Sequence, residues 1–447
     1  MIILRKQPRN SVDTQLFMRK YKLSEVAKIE ISSVDKKTID GEMPVKLCNF
    51  VDVYRNWAVT SQMTDCFMDA TAKPNEIARF TIKRGQVAIT KDSETRFDIG
   101  ISTYIADDFE GVILGYHNAL ITPDPEYLDG KYLNALLHTN YAKTYFAYNA
   151  SGSGQRYALS VDALNDFPLL LPDIAEQRRI GNLFSKLDRK IELNRQINDN
   201  LEAMAKQLYD YWFVQFDFPN EEGKPYKSSG GKMVWNDKLK REIPEGWEVK
   251  SINDLSTICR GVSYKPSDLQ DNGVLILRGN NIENNRIIYD NNTAFLSPNL
   301  ISAEQKIKRH DIIITMSSGS KEHIGKCAMF QLDSEHSFGA FLSKITPNKD
   351  CPHFIFLFLS STYFKQKIKS VCNGTGINNL TNQTFDEVKF AYPMPNTLKL
   401  FERRIQSIFD TIGNNDAENE VLTKQRDELL PLLMNGQVLV NYHLSHD

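Results

Sequence analysis

Apolar residues recur at a three-and-four spacing along two long stretches of the chain. In the first stretch these positions are Ile180, Leu183, Leu187, Ile197, Leu201, Met204 and Leu208. In the second stretch they are Ile405, Ile408, Ile412, Leu422, Leu429 and Leu433. This spacing, held over about four heptads in the first stretch, predicts two long helices that pack as a coiled coil.

One asparagine interrupts the apolar seam at the same place in each predicted helix. Asn194 and Asn419 both take an a position of the heptad. A buried asparagine at such a position costs stability and fixes the register of the helix pair. The alternative is that each asparagine faces water at a ragged seam. Farther along, Pro431 predicts that the second helix ends or kinks near Leu430, because proline interrupts helical hydrogen bonding.

A mixed segment of similar length precedes each predicted helix. Residues 21–172 combine β-rich runs, such as 45–50 and 86–90, with a helix-like stretch at 132–145. Residues 247–395 combine runs at 274–277 and 311–315 with a helix-like stretch at 354–369. These patterns predict two compact domains of the α/β type.

The chain contains an internal repeat of one domain plus one helix. Ile99-Gly100 matches Ile324-Gly325, and Gln177-Arg178-Arg179-Ile180 matches Glu402-Arg403-Arg404-Ile405, 225 positions later in both cases. A period this long excludes a solenoid, whose units have about 20 to 50 residues. A duplicated chain can present two similar surfaces related by an approximate two-fold axis.

Composition and charge narrow the function classes. The chain has 447 residues, of which 41% are apolar and 25% charged, which is typical of a globular protein with two or more domains. The formal net charge is −2, so bulk positive charge cannot drive binding to nucleic acid. Any DNA binding is therefore expected to be local or shared with a partner.

The sequence predicts neither a membrane segment nor a metal centre. No apolar run approaches the roughly 18 residues of a membrane helix, and the first residues do not resemble a signal peptide, so a cytoplasmic protein is expected. The six cysteines are widely separated and indicate reduced thiols. No cofactor and no metal site are expected.

Two pairs of matched loops change their residues while keeping their length. Residues 91–98 correspond to 316–323, and residues 152–157 correspond to 374–379. Binding residues often lie on loops held by a rigid frame, and Gln, Arg and Asn make bidentate contacts with base edges. Neutral drift of exposed loops is the alternative explanation.

The candidate DNA-contacting residues lie mainly in these loops and in nearby basic or polar positions. In the first half they are Lys83, Arg84, Lys91, Ser93, Arg96, Gln155, Arg156 and Tyr157. In the second half they are Arg278, Asn280, Arg309, Ser317, Ser318, Lys321, Thr375, Asn378 and Asn379.

No motif in the chain predicts catalysis. The methyltransferase tetrapeptide, the phosphate-binding P-loop and the zinc-protease helix motif are all absent. His117, His310 and His323 have no nucleophile or metal ligand at a useful spacing. A non-catalytic protein is expected, and a scaffold whose two domains bind protein instead of DNA remains an alternative.

Several motifs together resemble the specificity subunit of type I restriction-modification systems. They are Leu171-Pro172, Glu176-Gln177-Arg178-Arg179-Ile180, Trp212-Phe213-Val214 to Phe218, Ile243-Pro244-Glu245-Gly246-Trp247 and Leu429-Leu430-Pro431-Leu432-Leu433-Met434-Asn435-Gly436-Gln437-Val438. The resemblance covers nearly the whole chain except the first twenty residues. The longer join between Pro393 and Glu402 departs from the first copy.

This resemblance implies two target-recognition domains, each reading one half of a split, asymmetric site in double-stranded DNA. It also implies two antiparallel helices that separate the domains and dock two modification subunits. Those subunits would bring S-adenosylmethionine and methylate adenine, and restriction subunits would join through them. A specificity subunit of a methylation-only system is a further alternative.

The expected fold class is α+β, with two similar α/β-type domains, two long antiparallel coiled-coil spacer helices and an internal pseudo-two-fold repeat. The expected segments are an N-terminal extension (1–20), domain 1 (21–172), spacer helix 1 (173–212), a linker (213–245), domain 2 (246–395), spacer helix 2 (396–434) and a C-terminal tail (435–447).

Overall fold

The computed structural model describes residues 3–6, 18–35, 37–153, 156–289, 293–371, 378–436 and 438–441. The chain divides into two compact units. Unit 1 contains residues 1–193 and 418–447, and unit 2 contains residues 194–417. Each unit therefore combines one mixed domain with a part of both long helices.

Unit 1 contains a mixed α/β domain followed by the start of a long helix. Its strands are β1 (Ile3–Lys6), β2 (Arg19–Lys22), β3 (Ala27–Ile31), β4 (Met43–Cys48), β5 (Ala58–Val59), β6 (Met68–Ala72), β7 (Val87–Thr90), β8 (Asp92–Ser93), β9 (Ser102–Ile105), β10 (Val112–Leu114), β11 (Asn118–Pro123), β12 (Ser151–Ser153), β13 (Arg156–Ala158) and β14 (Pro168–Leu171). Its helices are α1 (Leu23–Val26), α2 (Phe50–Arg55), α3 (Pro74–Phe80), α4 (Gly130–Leu137), α5 (Asn140–Asn149), α6 (Val161–Asn165) and the first part of α7 (Ile174–Tyr209).

A five-stranded sheet in the order β3-β11-β7-β9-β5 forms the centre of unit 1. All four residues of β7 are buried. Side chains alternate across a strand, so Val87 and Ile89 pack into the core beneath α4, whereas Ala88 packs into a second core on the opposite face. A strand that is buried on both faces provides a rigid base for the residues that follow it.

Unit 2 repeats this organisation. Its strands are β15 (Met233–Asn236), β16 (Arg241–Pro244), β17 (Glu248–Lys250), β18 (Ser256–Arg260), β19 (Leu269–Gln270), β20 (Val274–Leu277), β21 (Ile282–Glu283), β22 (Arg286–Ile287), β23 (Phe295–Leu296), β24 (Ile312–Thr315), β25 (Ser317–Ser318), β26 (Cys327–Met329), β27 (Ser337–Phe338), β28 (Leu342–Pro347), β29 (Asn378–Asn379) and β30 (Phe390–Tyr392). Its helices are the rest of α7, α8 (Ile252–Leu255), α9 (Pro352–Ser360), α10 (Thr362–Val371), α11 (Asn382–Glu387) and the first part of α12 (Pro395–Met434). The rest of α12 and the last strand of the chain, β31 (Val438–Asn441), belong to unit 1.

The sheet β18-β28-β24-β26 is the counterpart of the central sheet in unit 1. Ile312 and Ile314 of β24 pack into one core and Ile313 into another, as the residues of β7 do in unit 1. The two domains and the internal repeat expected from the sequence are thus confirmed, and with them the α+β fold class.

The two long helices run antiparallel where they pack. In unit 2, Asn198 of α7 bonds Asp416 of α12, while Tyr209 at the end of α7 packs on Phe401 near the start of α12. In unit 1, the first turns of α7 share a core with the last turns of α12, which include Leu433. The residue numbers on the two helices change in opposite directions, as antiparallel packing requires.

The predicted seam is correct at some positions and wrong at others. Leu201 and Leu208 pack, as expected, against the core of unit 2, which includes Phe401 and Ile405 of α12, but Ile197 and Met204 are 38% and 54% exposed. The neighbouring positions Asn198 and Ala205 are buried instead. Adjacent residues on a helix point about 100° apart, so an error of one position in the predicted seam moves a residue from the packed face to the exposed face.

A pair of asparagines forms the polar part of this seam in unit 2. The side-chain amide of Asn415 donates to Asn198 Oδ1 at 2.8 Å, and Asn198 Nδ2 donates to Asp416 Oδ1 at 2.8 Å. The predicted register residue Asn194 is 1% exposed, whereas Asn419 is half-buried. The role of these two residues in register stays a prediction.

The expectation that α12 ends near Leu430 is wrong, and a kink there stays a prediction. The helix continues through Pro431 to Met434. Leu430, Leu433 and Met434 are all buried in the core of unit 1, and this burial holds the last turn in place. The N-terminal extension also takes part in unit 1, since β1 pairs antiparallel with β31.

Gln177 attaches the domain of unit 1 to α7. Its side-chain oxygen accepts a hydrogen bond from the backbone N–H of Asp129 at 3.1 Å, just before α4 begins. Its amide nitrogen donates to the carbonyls of Tyr127 and Pro172 at 3.0 Å each. Gly181 allows α7 to approach α4 closely, because a Cβ at this position would lie 2.8 Å from the backbone nitrogen of Tyr132.

Glu402 holds the equivalent position in unit 2. Its carboxylate accepts hydrogen bonds from the backbone N–H of Phe354 at 2.9 Å and from Nδ1 of His353 at 2.7 Å. Both donors belong to the first turn of α9. A carboxylate at a helix N-terminus satisfies free N–H groups and interacts well with the helix dipole.

Arg286 makes a second attachment in unit 2. From β22 its guanidinium reaches Asp199 Oδ1 at 2.8 Å and Glu202 Oε1 at 2.6 Å, both on α7. Burial raises the pKa of Glu202, and the bond from Arg286 partly opposes that rise. The guanidinium therefore balances the negative charge of two α7 carboxylates that pack against the domain.

Candidate nucleic-acid interface

The two variable loops of unit 1 meet in one small sheet. Strands β12, β13 and β8 form this three-stranded sheet, which we call sheet A. Tyr157 of β13 pairs with Ser93 of β8, and Arg156 pairs with Ser153 of β12. Segments that are more than 50 residues apart in the sequence thus become one surface directly beyond the buried strand β7.

The side chains of sheet A support one another. The Arg96 guanidinium lies over the Tyr157 ring, 5.2 Å from its centroid, which is within the range of a cation–π contact. The Ser93 hydroxyl accepts a hydrogen bond from the backbone N–H of Thr95 at 3.2 Å and so turns the loop. Arg156 is exposed. The Arg156 side chain therefore faces solvent on a sheet whose neighbouring side chains are held in place by these contacts.

Lys91 has a different environment from the other candidates in this loop. Its ammonium bonds Asp92 Oδ2 at 2.7 Å, and Nδ1 of His117 lies 2.5 Å from the same oxygen. Burial alone would raise the pKa of Asp92, but the bonds from Lys91 and His117 hold it below its ordinary value. In this conformation Lys91 stabilises an internal carboxylate that anchors sheet A.

The two variable loops of unit 2 meet in the same way. Strands β25 and β29 form a two-stranded sheet, which we call sheet B, with Ser317 opposite Asn379 and Ser318 opposite Asn378. The Ser317 hydroxyl also donates a hydrogen bond to the side-chain oxygen of Asn379. Lys321 is exposed in the loop that follows β25.

The turn that contains Arg278 and Asn280 lies close to sheet B. A Cβ placed on Gly279 would be 3.9 Å from Thr315 Cγ2, at the end of β24. Ser317 and sheet B follow directly after that strand. The structure therefore brings Arg278 and Asn280 to the same end of the unit as the serine and asparagine candidates.

Sheets A and B occupy equivalent places in their units. The backbone N–H of Lys91 donates to the carbonyl of His117 at 2.9 Å, and the N–H of Met316 donates to the carbonyl of Phe341 at 2.9 Å. These two bonds correspond under the internal repeat and connect the end of the central strand to the next hairpin. The scaffold is shared, while the side chains on it differ.

Three basic candidates lie away from these sheets. Lys83 and Arg84 precede β7, and Arg309 precedes β24, so a buried strand separates each from sheet A or sheet B. Arg84 pairs with Asp107 at 3.4 Å, and Arg309 pairs with Asp410 of α12 at 2.5 Å. Lys83, Arg84 and Arg309 thus lie at the opposite ends of the central strands from the loop candidates, and their role in DNA binding stays a prediction.

Three candidates lie wholly or partly outside the described residues. Gln155 and Thr375 lie outside the described residues, and only the backbone of Asn378 is described. Two residues that were not among the sequence candidates, Phe97 and Phe341, lie beside sheets A and B with exposed side chains. The variability of the 91–98 loop was the one sequence signal that pointed toward Phe97.

Two general features of the described part of the chain bear on function. No described helix is long and apolar enough to cross a membrane. Within the same residues, no group of three or more His, Cys, Asp or Glu side chains is arranged to hold a metal ion.

Comparisons with known proteins identify a family. The sequence model of the "Type I restriction modification DNA specificity domain" matches the chain twice, at residues 18–203 and 244–426. The chain is 33% identical to the "Type I restriction enzyme StySPI specificity subunit" of Salmonella potsdam over 215 residues, which are 46% of each protein. This match thus spans about half the length of that relative.

A second relative matches over more of its length. The chain is 26% identical to the "Type I restriction enzyme HindI specificity subunit" of Haemophilus influenzae over 411 residues, which are 81% of this chain and 88% of that protein. Among solved structures, the S subunit of a type I restriction-modification system from M. genitalium aligns with a TM-score of 0.53 at 15% identity. That alignment covers 93% of this chain and 96% of that one and shows a shared fold.

Proposed function

The chain belongs to the type I restriction-modification DNA specificity family, and on this basis we propose that it reads a bipartite, asymmetric target in double-stranded DNA. Unit 1 would read one half-site through sheet A, and unit 2 would read the other through sheet B. The chain itself supplies recognition and no catalysis.

The observation that carries this proposal is the equivalence of sheets A and B. Two copies of one scaffold hold different side chains at matched positions, Arg156 and Tyr157 in sheet A against Asn378 and Asn379 in sheet B. Arginine makes bidentate contacts with guanine, and asparagine makes them with adenine. Different side chains on equivalent scaffolds are what two different half-site sequences would require.

The partners proposed for the chain are two modification subunits, with restriction subunits joining through them. The near-neutral charge of the chain supports a shared interface with DNA, because contacts of basic side chains with phosphates supply a large share of the affinity of DNA-binding proteins. The internal repeat offers similar surfaces on two similar units to two copies of one partner. Residues 173–212 and 396–434 are the proposed spacer helices that dock them.

The decisive experiment compares matched variants of the chain assembled with its modification partner. Arg156→Ala in sheet A should relax base discrimination in one half-site only, by about 1–3 kcal/mol for a lost bidentate contact. Asn379→Ala in sheet B should act on the other half-site. Arg84→Ala is the control, because it removes an arginine of unit 1 that lies away from sheet A.

The readout is selection from random-sequence duplexes, followed by affinity measurements at fixed salt concentration. If both sheet variants loosen both half-sites equally, the sheets contact the DNA backbone and do not read bases. If the assembled wild-type complex does not distinguish any duplex from another, the chain is a protein scaffold, and the proposal fails.

A further inference from the structure

Each unit presents one exposed phenylalanine beside its proposed recognition sheet. Among the residues that the structure describes, Phe97 and Phe341 are the two phenylalanines with mainly exposed side chains, at 75% and 67%. Burial of a phenylalanine side chain removes a large apolar surface from water, so most phenylalanines in a folded chain are inside. The two exceptions are distributed one to a unit and lie at corresponding ends of the two domains.

The Phe97 ring is exposed although its loop is held on both sides. On one side Arg96 stacks over Tyr157 of sheet A. On the other side Asp98 accepts a hydrogen bond from the Tyr54 hydroxyl at 2.7 Å. Burial and this bond raise the pKa of Tyr54 to about 12, so the hydroxyl keeps its proton. The exposure of Phe97 is therefore a feature of an anchored loop.

Phe341 is presented by a different element at the same end of unit 2. It lies in the turn between β27 and β28, where its carbonyl accepts the backbone N–H groups of Met316 and Ser317 at 2.9 and 3.2 Å. Ser317 is the first residue of sheet B. The two phenylalanines are not partners in the repeat, since Phe97 aligns with Glu322 and Phe341 aligns with His117. Each half thus places an aromatic ring at its own position.

We propose that Phe97 and Phe341 are specificity-determining residues, each of which contacts a thymine 5-methyl group in the major groove of one half-site. This inference rests on the proposed function. The major groove admits a two-stranded ribbon of the size of sheet B, and thymine is the base that presents a methyl group there. The polar neighbours of each ring would read base edges, while the ring reads the methyl group.

The test uses the wild-type chain assembled with its modification partner and a target found by methylation mapping. Each thymine of the target is replaced singly by deoxyuridine, which removes only the 5-methyl group. At least one replacement in each half-site should weaken binding about threefold to fivefold, which is the expected effect of one lost methyl contact.

The variants then assign each ring to a half-site. Phe97→Ala should abolish the deoxyuridine effect in the half-site read by unit 1 and leave it in the other, and Phe341→Ala should do the reverse. Phe97→Leu keeps an apolar group and should keep part of the effect. Because both rings are exposed, neither alanine variant should change the urea midpoint of the chain.

Three results would overturn the inference. Wild-type binding that distinguishes its target but ignores every deoxyuridine replacement refutes the methyl contact and leaves the proposed function intact. Alanine variants that weaken binding to all duplexes equally would show that the rings act as wedges or contact the backbone. If the wild-type complex has no preferred sequence, the proposed function fails together with this inference.

Discussion

Glu402→Ala is expected to loosen the attachment of the unit 2 domain to α12. The carboxylate is the acceptor for two donors in the first turn of α9, the Phe354 N–H at 2.9 Å and His353 Nδ1 at 2.7 Å. His353 is fully buried and the Glu402 side chain is 13% exposed. An ionised carboxylate only accepts hydrogen bonds, so His353 must carry its proton on Nδ1.

The size of the effect follows from the two donors that lose their acceptor. A buried donor left without a partner costs about 1–3 kcal/mol. The partial exposure of Glu402 lets water reach the site, so the expected loss in the free energy of unfolding is about 2–4 kcal/mol. Glu402→Gln should cost only about 1 kcal/mol, because the amide oxygen still accepts from Phe354, as Gln177 does for Asp129 in unit 1.

The assay is urea unfolding followed by tryptophan fluorescence. Trp212, Trp235 and Trp247 belong to unit 2 and only Trp57 to unit 1, so the signal reports mainly on unit 2. With a slope of about 1–3 kcal/mol per molar urea, the alanine variant should unfold at a urea concentration lower by about 1 M or more.

The matched control is Glu335→Ala, which removes an exposed carboxylate from the same unit. Its midpoint should stay close to that of the wild type, because surface substitutions usually change stability by less than about 0.5 kcal/mol. If Glu402→Ala and Glu335→Ala unfold at the same urea concentration, the carboxylate does not hold the domain on the helix, and the reasoning is refuted.

Arg286→Met should destabilise unit 2 by about 1–3 kcal/mol, because it leaves the partly buried carboxylate of Glu202 without its cation. Adding Glu202→Gln should recover part of that loss, and a double-mutant cycle measured by urea unfolding gives the coupling energy between the two side chains. Acid should also destabilise the chain. Burial lowers the pKa of His138 to about 3 and that of His310 to about 4, below the ordinary value near 6.5. Their contribution is present above about pH 6.5 and is lost as the pH falls toward 4, since the unfolded chain then binds more protons. A urea midpoint that stays constant from pH 7 to pH 4 would contradict this.

The overall organisation of the protein is already encoded in local patterns of the chain. The repeat of Gln177-Arg178-Arg179-Ile180 as Glu402-Arg403-Arg404-Ile405 predicted two equivalent halves, and the heptad spacing predicted two long helices. Both are one-dimensional signals, because a period can be counted without knowing what a residue touches. The family resemblance rests on motifs of the same kind.

The candidate site depended on contacts between distant segments. Sheets A and B are built from strands of two or three residues, which are too short to show an alternating pattern. Only the folded chain shows that β8 pairs with β13 and β25 with β29, so that two variable loops in each half become one surface. It likewise separates Arg309 from that surface by attaching it to Asp410.

The packing face of α7 shows, for single residues, the same difference between what the sequence predicts and what the folded chain decides. Apolar spacing favoured Ile197 for the seam, yet Asn198 is buried there, because Asn415 and Asp416 of α12 satisfy its amide. A polar side chain can be buried when its partners are in place, and those partners lie more than 200 residues away in the chain. Periodicity along one helix therefore predicts that a seam exists, whereas the side chains of the opposing helix decide which residues form it.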